Sequence, residues 1–332
     1  MKQTHILGVA AIMASTLVLP ARAEDTGVGQ FAWMLIREGI KQRFMPSAAP
    51  DGTEPAPDIA LPQKTADGCE ILRDRRKSGK PSMGISRPGK YCLDNDYEVE
   101  CTIFTHGCGG QVIEIRADDV DIDFRGHTVR MSGTRGYIGV WGFGRNIRVH
   151  NGRIRGAGVG IMLSDRGRSP QGAYPAMPVN SDHVFTETGF VVERMQFSDV
   201  QTAVMVSGSG NQIHDNRIDA TLDAVRNTGA PFALLSYGPA ARIERNTFRL
   251  HDLTPGMSGY AIYVRSGERT LIGDNKVRVD DAQGTVGIGL SSSTGVVLRQ
   301  NWIDTEKVTE LDERSSLQPA NPDGKGMAGD GR

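Results

Sequence analysis

NQIHDNRID (211–219), ARIERNTFR (241–249), TLIGDNKVR (270–278) and GVVLRQNWID (295–304) carry one pattern. In each line an aliphatic residue precedes an asparagine, and another apolar residue follows two positions after it. The asparagines are Asn216, Asn246, Asn275 and Asn301, so the steps are 30, 29 and 26 residues. A period in the twenties to low thirties, built from short strand-like runs, marks a solenoid rather than a globular α/β domain. Stacked in register at a turn, these asparagines are expected to hydrogen-bond to one another and to the turn backbone. They fix the coil period and are not a ligand site.

Outward from that stretch, composition sets limits. The formal net charge is −1 over 332 residues, so no global field points to nucleic acid. Glycine at 41 and aromatics at 6% suit tight coils with many turns. The N-terminus reads as a secretory signal over residues 1–23: Lys2, an apolar core from Ile6 to Leu19, and Ala21-Arg22-Ala23 as the cleavage site. The apolar run is shorter than the roughly 20 residues a spanning helix needs. An uncleaved anchor is the alternative. The mature chain is expected to begin at Glu24, in a periplasm or outside the cell, with no membrane span remaining.

The four cysteines, Cys69, Cys92, Cys101 and Cys108, suit an oxidising compartment and are expected to form two disulfides on the first coil. Three connectivities are open. No CxxC or His pair supports zinc. In the segment 24–45, the run 31–45 predicts an amphipathic helix, with Trp33, Ile36, Ile40 and Phe44 on one stripe and Pro46 as its stop. It is expected to cover an end or flank of the solenoid, or to dock on a partner or membrane surface. Residues 46–83 form a linker with five prolines between 46 and 62, followed by the Cys69 region.

ISRPGKYCL (85–93), ADDVDIDFRGHTV (117–129) and RNIRVHNGRIRGAGVGIML (145–163) resemble the right-handed parallel β-helix proteins of the pectin-lyase-like superfamily, over about residues 84–305. The resemblance implies an all-β parallel β-helix; the aligned repeat itself gives about seven coils, and the tail over 306–332, which ends in PANPDGKGMAGDGR, is expected to be disordered. That superfamily includes polysaccharide lyases, hydrolases and uronate epimerases, and also adhesins, phage tailspikes and copper-handling periplasmic proteins. No one enzyme family is matched. The hydrolase signatures, an Asn-Thr-Asp run and a Gly-His followed by Arg-Ile-Lys, are absent, as is the Asp-Pro-His-Asp run of mannuronan epimerases. Gly126-His127 is a fragment only.

Period-two alternation turns the repeat into columns. On the first face Leu163, Val206, Leu235, Val264 and Leu290 are expected to point inward. The step from 163 to 206 is longer than the others, so one coil extrudes a loop at 164–189, and such loops are usually functional. Outward columns are expected through Gly139, Met162, Met205, Leu234, Tyr263 and Gly289, and through Trp141, Ser164, Ser207, Ser236, Arg265 and Ser291. An apolar stripe of this kind calls for intramolecular cover or a ligand. On the second face the expected column is Arg125, His150, Glu193, His214, Glu244, Gly273 and Arg299, a charge ladder or a His–Glu pair for catalysis. On the third face Arg153, Arg155, Arg217, Arg249, Lys276 and Arg278 form a basic stripe, interrupted by Asp219 and Asp304. It favours an extended anionic partner.

The expected function is binding, and processing by a lyase, epimerase or hydrolase, of an acidic polysaccharide or envelope glycan. The alternative is a non-catalytic extracytoplasmic binding or structural protein. Hydrolysis requires paired carboxylic acids, for which Asp219 with Asp223, or Asp280 with Asp281, are the available pairs. The candidate site is the loop with the first-face stripe beside it. His183 or Tyr174 would act as base, with Asp182 as a further catalytic candidate and Arg265 or Arg166 clamping a carboxylate. Trp141, Tyr263, Asp165 and Arg168 complete it. No cofactor is expected; Ca²⁺ has no loop to hold it, and copper has no Cys/His cluster.

Overall fold

A computed structural model describes residues 64–73, 83–101, 110–133, 137–165, 184–221, 232–251, 259–280, 284–305 and 307–319. The expected signal, helix, Pro-rich linker, Cys108 and the final residues 320–332 lie outside them, as does the Cys101 side chain. No described helix is long and apolar enough to cross a membrane.

The chain winds as a right-handed parallel β-helix whose strands all pair in parallel. Nine strands stack on the first face: Met83–Ile85, Gly110–Ile115, Tyr137–Phe143, Val159–Ser164, Thr202–Ser207, Phe232–Tyr237, Gly259–Arg265, Thr285–Ser291 and Lys307–Leu311. About seven coils are expected over 84–305, and among the described residues the first face has nine rungs. The extra rungs lie at the ends, where no asparagine marks the repeat. Residues 307–319 belong to the helix rather than to a disordered tail: Lys307–Leu311 pairs with Thr285–Ser291, and Leu317–Gln318 with Val296–Arg299.

Two further faces complete each coil. Inward positions on the second face stack as Ile122, Val149, Val192, Ile213, Ile243, Ile272 and Leu298. On the third face they run Val129, Ile154, Phe197, Ile218, Phe248, Val277 and Ile303. Most are fully buried, and each such side chain contributes about 1.5–3 kcal/mol by leaving water. β-branched residues dominate because they pack well on a pleated surface.

The corner between these two faces explains the repeat. Asp215, Arg245, Asp274 and Gln300, each just before a ladder asparagine, sit at φ between 47° and 58°. A left-handed residue costs about 1–2 kcal/mol for L side chains. The asparagines offset that cost: Nδ2 of Asn216, Asn246 and Asn275 donates to Oδ1 of the next asparagine at 2.9, 3.0 and 3.0 Å. That oxygen also accepts the preceding backbone amide at 3.1, 2.9 and 3.0 Å. A mixed ladder that the sequence did not announce holds the opposite corner. Asn211 Oδ1 accepts from Phe190 N and Thr188 Oγ1 there, and Thr270 and Ser293 cap later coils.

Cys69 and Cys92 form a disulfide across the first coil. Closing a loop of this size stabilises by about 3 kcal/mol in the chain-entropy account. The long coil is where expected: Leu163 pairs directly with Val206 across the 164–189 stretch, of which residues 166–183 lie outside the described residues, and Glu187 bridges Ser209.

Candidate polyanion-binding face

The first face does not have the register read from the sequence. Leu235 pairs with Met205 and Tyr263, whereas Ser236 pairs with Val206 and Val264. Ser236 is therefore inward and Leu235 outward. Likewise Trp141, not Gly139, pairs with Met162. The outward column is Glu114, Trp141, Met162, Met205, Leu235, Tyr263, Gly289 and Glu310. Within it Trp141 (0%), Met162 (3%), Met205 (1%) and Leu235 (4%) have almost no accessible surface. The Trp141 ring meets Phe143 edge-on at 5.7 Å and offers no stacking platform.

Arg265 lies in the neighbouring outward column, over the Tyr237 ring at 5.4 Å, and Phe185 packs edge-on against that ring at 5.0 Å. Tyr263 stacks on Phe232, and burial pushes its phenol up, as it does that of Tyr260. Asp165 accepts from Ser207 Oγ at 2.8 Å and lines a cleft of about 430 Å³ with Asp118, Phe143, Arg145 and Glu187. Arg145 is engaged by Asp118 at 2.9 Å, which holds that carboxyl below its usual range. Arg166, Arg168, Tyr174, Asp182 and His183 lie outside the described residues, as do Asp223 and Asp281.

The second face is an ion ladder in which acids and bases pair across rungs, with His150 Nδ1 buried and without a hydrogen-bond partner among the described residues. Its column holds Asp123 where Arg125 was expected, then His150, Glu193, His214, Glu244, Gly273 and Arg299. Arg125 instead turns to Asp67 at 2.6 Å, because its left-handed φ of 51° takes it out of the strand. Burial pushes Glu193 up, but hydrogen bonding from Arg148 and the charges of Arg148 and Arg194 outweigh it, and the carboxyl ends below its usual range. Arg299 reaches across Gly273 to Glu244 at 3.0 Å. All four described histidines touch an aspartate: His127 with Asp96 (3.3 Å), His150 with Asp121 (2.7 Å), His214 with Asp215 (2.8 Å) and His251 with Asp219 (2.5 Å).

The third face differs. One outward column reads Thr128, Arg153, Gln196, Arg217, Thr247, Lys276 and Trp302, all exposed except the half-buried Thr128. Beside it lie Arg130 and Arg155, then Asp219, Arg249, Arg278 and Asp304. Asp280 at the end of its strand takes both Arg249 (2.5 Å) and Arg278 (3.1 Å), which removes them from the expected stripe. Arg153 donates to the Gly126 carbonyl at 3.1 Å. Among the described residues, Arg130, Arg153, Arg155, Arg217 and Lys276 have no carboxylate in ion-pair range. Lys276 and Trp302 sit side by side in register, and the Trp302 side chain is among the largest exposed apolar groups, at 55%. Arg130, Gln196, Thr247 and Trp302 were not singled out from sequence. Trp302 was legible, since it follows Asn301 as Lys276 follows Asn275.

No protein-family profile matches the chain, and no curated protein matches it. Among solved structures it is similar to an alginate lyase from Paenibacillus sp. str. FPU-7, with 11% identity and a TM-score of 0.41 over 71% of this chain and 88% of that one. It is also similar to the enzymatically active domain of tailspike protein 2 from bacteriophage CBA120, with 8% identity and a TM-score of 0.33 over 72% and 42%. A mannuronan C-5 epimerase A-module from Azotobacter vinelandii follows, with 12% identity and a TM-score of 0.19 over 72% and 89%. At such scores and identities none of those proteins' chemistry transfers to this chain.

Proposed function

We propose that this protein acts outside the cytoplasm as a β-helix that binds an acidic polysaccharide through its third face. The observation that supports this reading is the group of five exposed cations, Arg130, Arg153, Arg155, Arg217 and Lys276, none of them in ion-pair range of a carboxylate among the described residues, on a chain of net charge −1. Elsewhere exposed arginines are largely neutralised by neighbours. Segregated charge of one sign favours an extended partner of the other sign. The signal-like N-terminus favours an envelope or extracellular glycan over nucleic acid.

Binding is favoured over turnover because each described histidine already contacts an aspartate through one ring nitrogen. Burial weakens Tyr260 and Tyr263 as bases at neutral pH. A lyase, epimerase or hydrolase activity would rest on Tyr174, Asp182 and His183 with Arg265. The test is retention of the mature protein on immobilised polyuronides and sulfated glycans across a salt gradient. Ultraviolet absorbance of the eluted polymer would report unsaturated product. Retention that weakens with salt is expected; no retention on any acidic polysaccharide would refute the reading.

A further inference from the structure

The unpaired charges of the third face follow the rungs. In the column Arg153, Gln196, Arg217, Thr247, Lys276, cations occupy every second rung, and neutral side chains with hydrogen-bonding groups fill the rungs between. Rungs about 4.8 Å apart place successive cations about 9.6 Å apart. That is the span of two extended pyranose rings. In an extended two-fold glycan, groups on one side of the chain recur once per two rings. Trp302 then closes the column, one rung beyond Lys276. The flanking column is mixed, with Arg130 and Arg155 at one end and Asp219 and Asp304 among the arginines further along.

We propose that an acidic glycan lies along this column, parallel to the helix axis, with about one ring per rung. Anionic groups of alternate rings meet Arg153, Arg217 and Lys276. Hydroxyls of the rings before and between them meet Thr128, Gln196 and Thr247, and the last ring stacks on Trp302 through its apolar face. The proposal rests on the reading of this face as an acidic-polysaccharide site, and adds register, length and direction. A nucleic acid strand carries a phosphate on every unit and gains nothing from neutral rungs.

The experiment uses the mature full-length chain and size-fractionated oligosaccharides of two to ten rings. One series comes from hyaluronan, with one carboxylate per two rings, and one from polymannuronate. Binding is followed by calorimetry at several salt concentrations. Affinity is expected to climb to about seven rings and then level off, because the column runs over seven rungs from Thr128 to Trp302. Arg217→Gln should weaken the hexasaccharide about fivefold and lower the salt slope by about 0.7, the loss of one counterion-releasing contact. Trp302→Ala should weaken it about five- to tenfold with the salt slope unchanged. Thr247→Arg should not improve binding of the hyaluronan series. Far-ultraviolet circular dichroism of each variant separates misfolding from lost contacts. If polymer retention persists while all three variants match the wild type, or if affinity still rises beyond eight rings, the register is wrong and the broader reading stands. Single-stranded DNA bound as tightly as the hexasaccharide would also overturn the register, by showing that charge alone acts. Absence of salt-dependent retention on every acidic polysaccharide would remove the underlying reading as well.

Discussion

Replacing Asn246 with alanine isolates the contribution of the corner ladder. Asn246 is fully buried and its side chain makes four hydrogen bonds. Oδ1 accepts from the amide of Asn216 at 3.1 Å and from its Nδ2 at 2.9 Å. Nδ2 donates to the Ile213 carbonyl at 2.8 Å and to Asn275 Oδ1 at 3.0 Å. In the variant the Asn216 amide N–H loses its acceptor in a buried site, which costs about 1–3 kcal/mol. Asn216 Nδ2 keeps the Val192 carbonyl, and Asn275 Oδ1 keeps the amide of residue 246, so those losses are milder. With about 0.5–1.5 kcal/mol for each remaining bond, Asn246→Ala should destabilise by about 3–6 kcal/mol. Asn301 ends the ladder, is only half-buried, and makes three such bonds, for which water can substitute. Asn301→Ala should cost about 1–2 kcal/mol. Urea unfolding followed by circular dichroism gives both midpoints and slopes, and unequal slopes would expose coil-by-coil unfolding. Equal costs at the two positions, or a cost under about 1 kcal/mol at Asn246, would refute the account of the ladder.

Three further outcomes are expected. Gly152→Ala would place a Cβ 2.1 Å from Phe124 Cβ and 2.5 Å from its ring, both in the closed core, so a loss of about 3 kcal/mol or more is expected in the same urea assay. Asp215 is held down to a pKa of about 2, first by the hydrogen bond from Arg245, with burial opposing and His214 assisting. Because the folded value is the lower one, its stabilisation is complete above the ordinary carboxylate pKa and lost as pH falls towards 2. Arg245→Gln should therefore flatten the fall of the urea midpoint between about pH 4 and 2, and a variant curve parallel to the wild type in that window would sink the assignment. Arg265→Ala removes a first-face cation and should leave salt-dependent retention on acidic polysaccharides unchanged, at a stability cost of about 0.5–1 kcal/mol for its contact with Tyr237. A large drop in retention would move the binding site to the first face.

The three faces divide the work according to what their outward residues find in register. On the first face Trp141, Met162, Met205 and Leu235 end buried, whereas on the second, acids and bases alternate and neutralise one another. Only on the third do exposed cations meet Gln196 and Thr247 above and below instead of carboxylates.

The sequence alone determined the solenoid, the asparagine corner and the inward aliphatic columns of the second and third faces. Those features depend on alternation and period, which are local and survive without knowledge of the fold. It also placed Arg153, Arg217 and Lys276 on one face, since each stands at a set distance from a marker residue. The tertiary structure decided what alternation could not. In FALLSY (232–237) two adjacent leucines are both fit to face the core, so only pairing with Met205 and Tyr263 shows Leu235 to be the outward one. Which arginines remain available depended on Asp280, some 30 residues beyond Arg249 in the chain yet 2.5 Å away in space. Long charged side chains choose partners across rungs and around strand ends. Their electrostatics are therefore a property of the stacked coils, and one-dimensional spacing does not carry it.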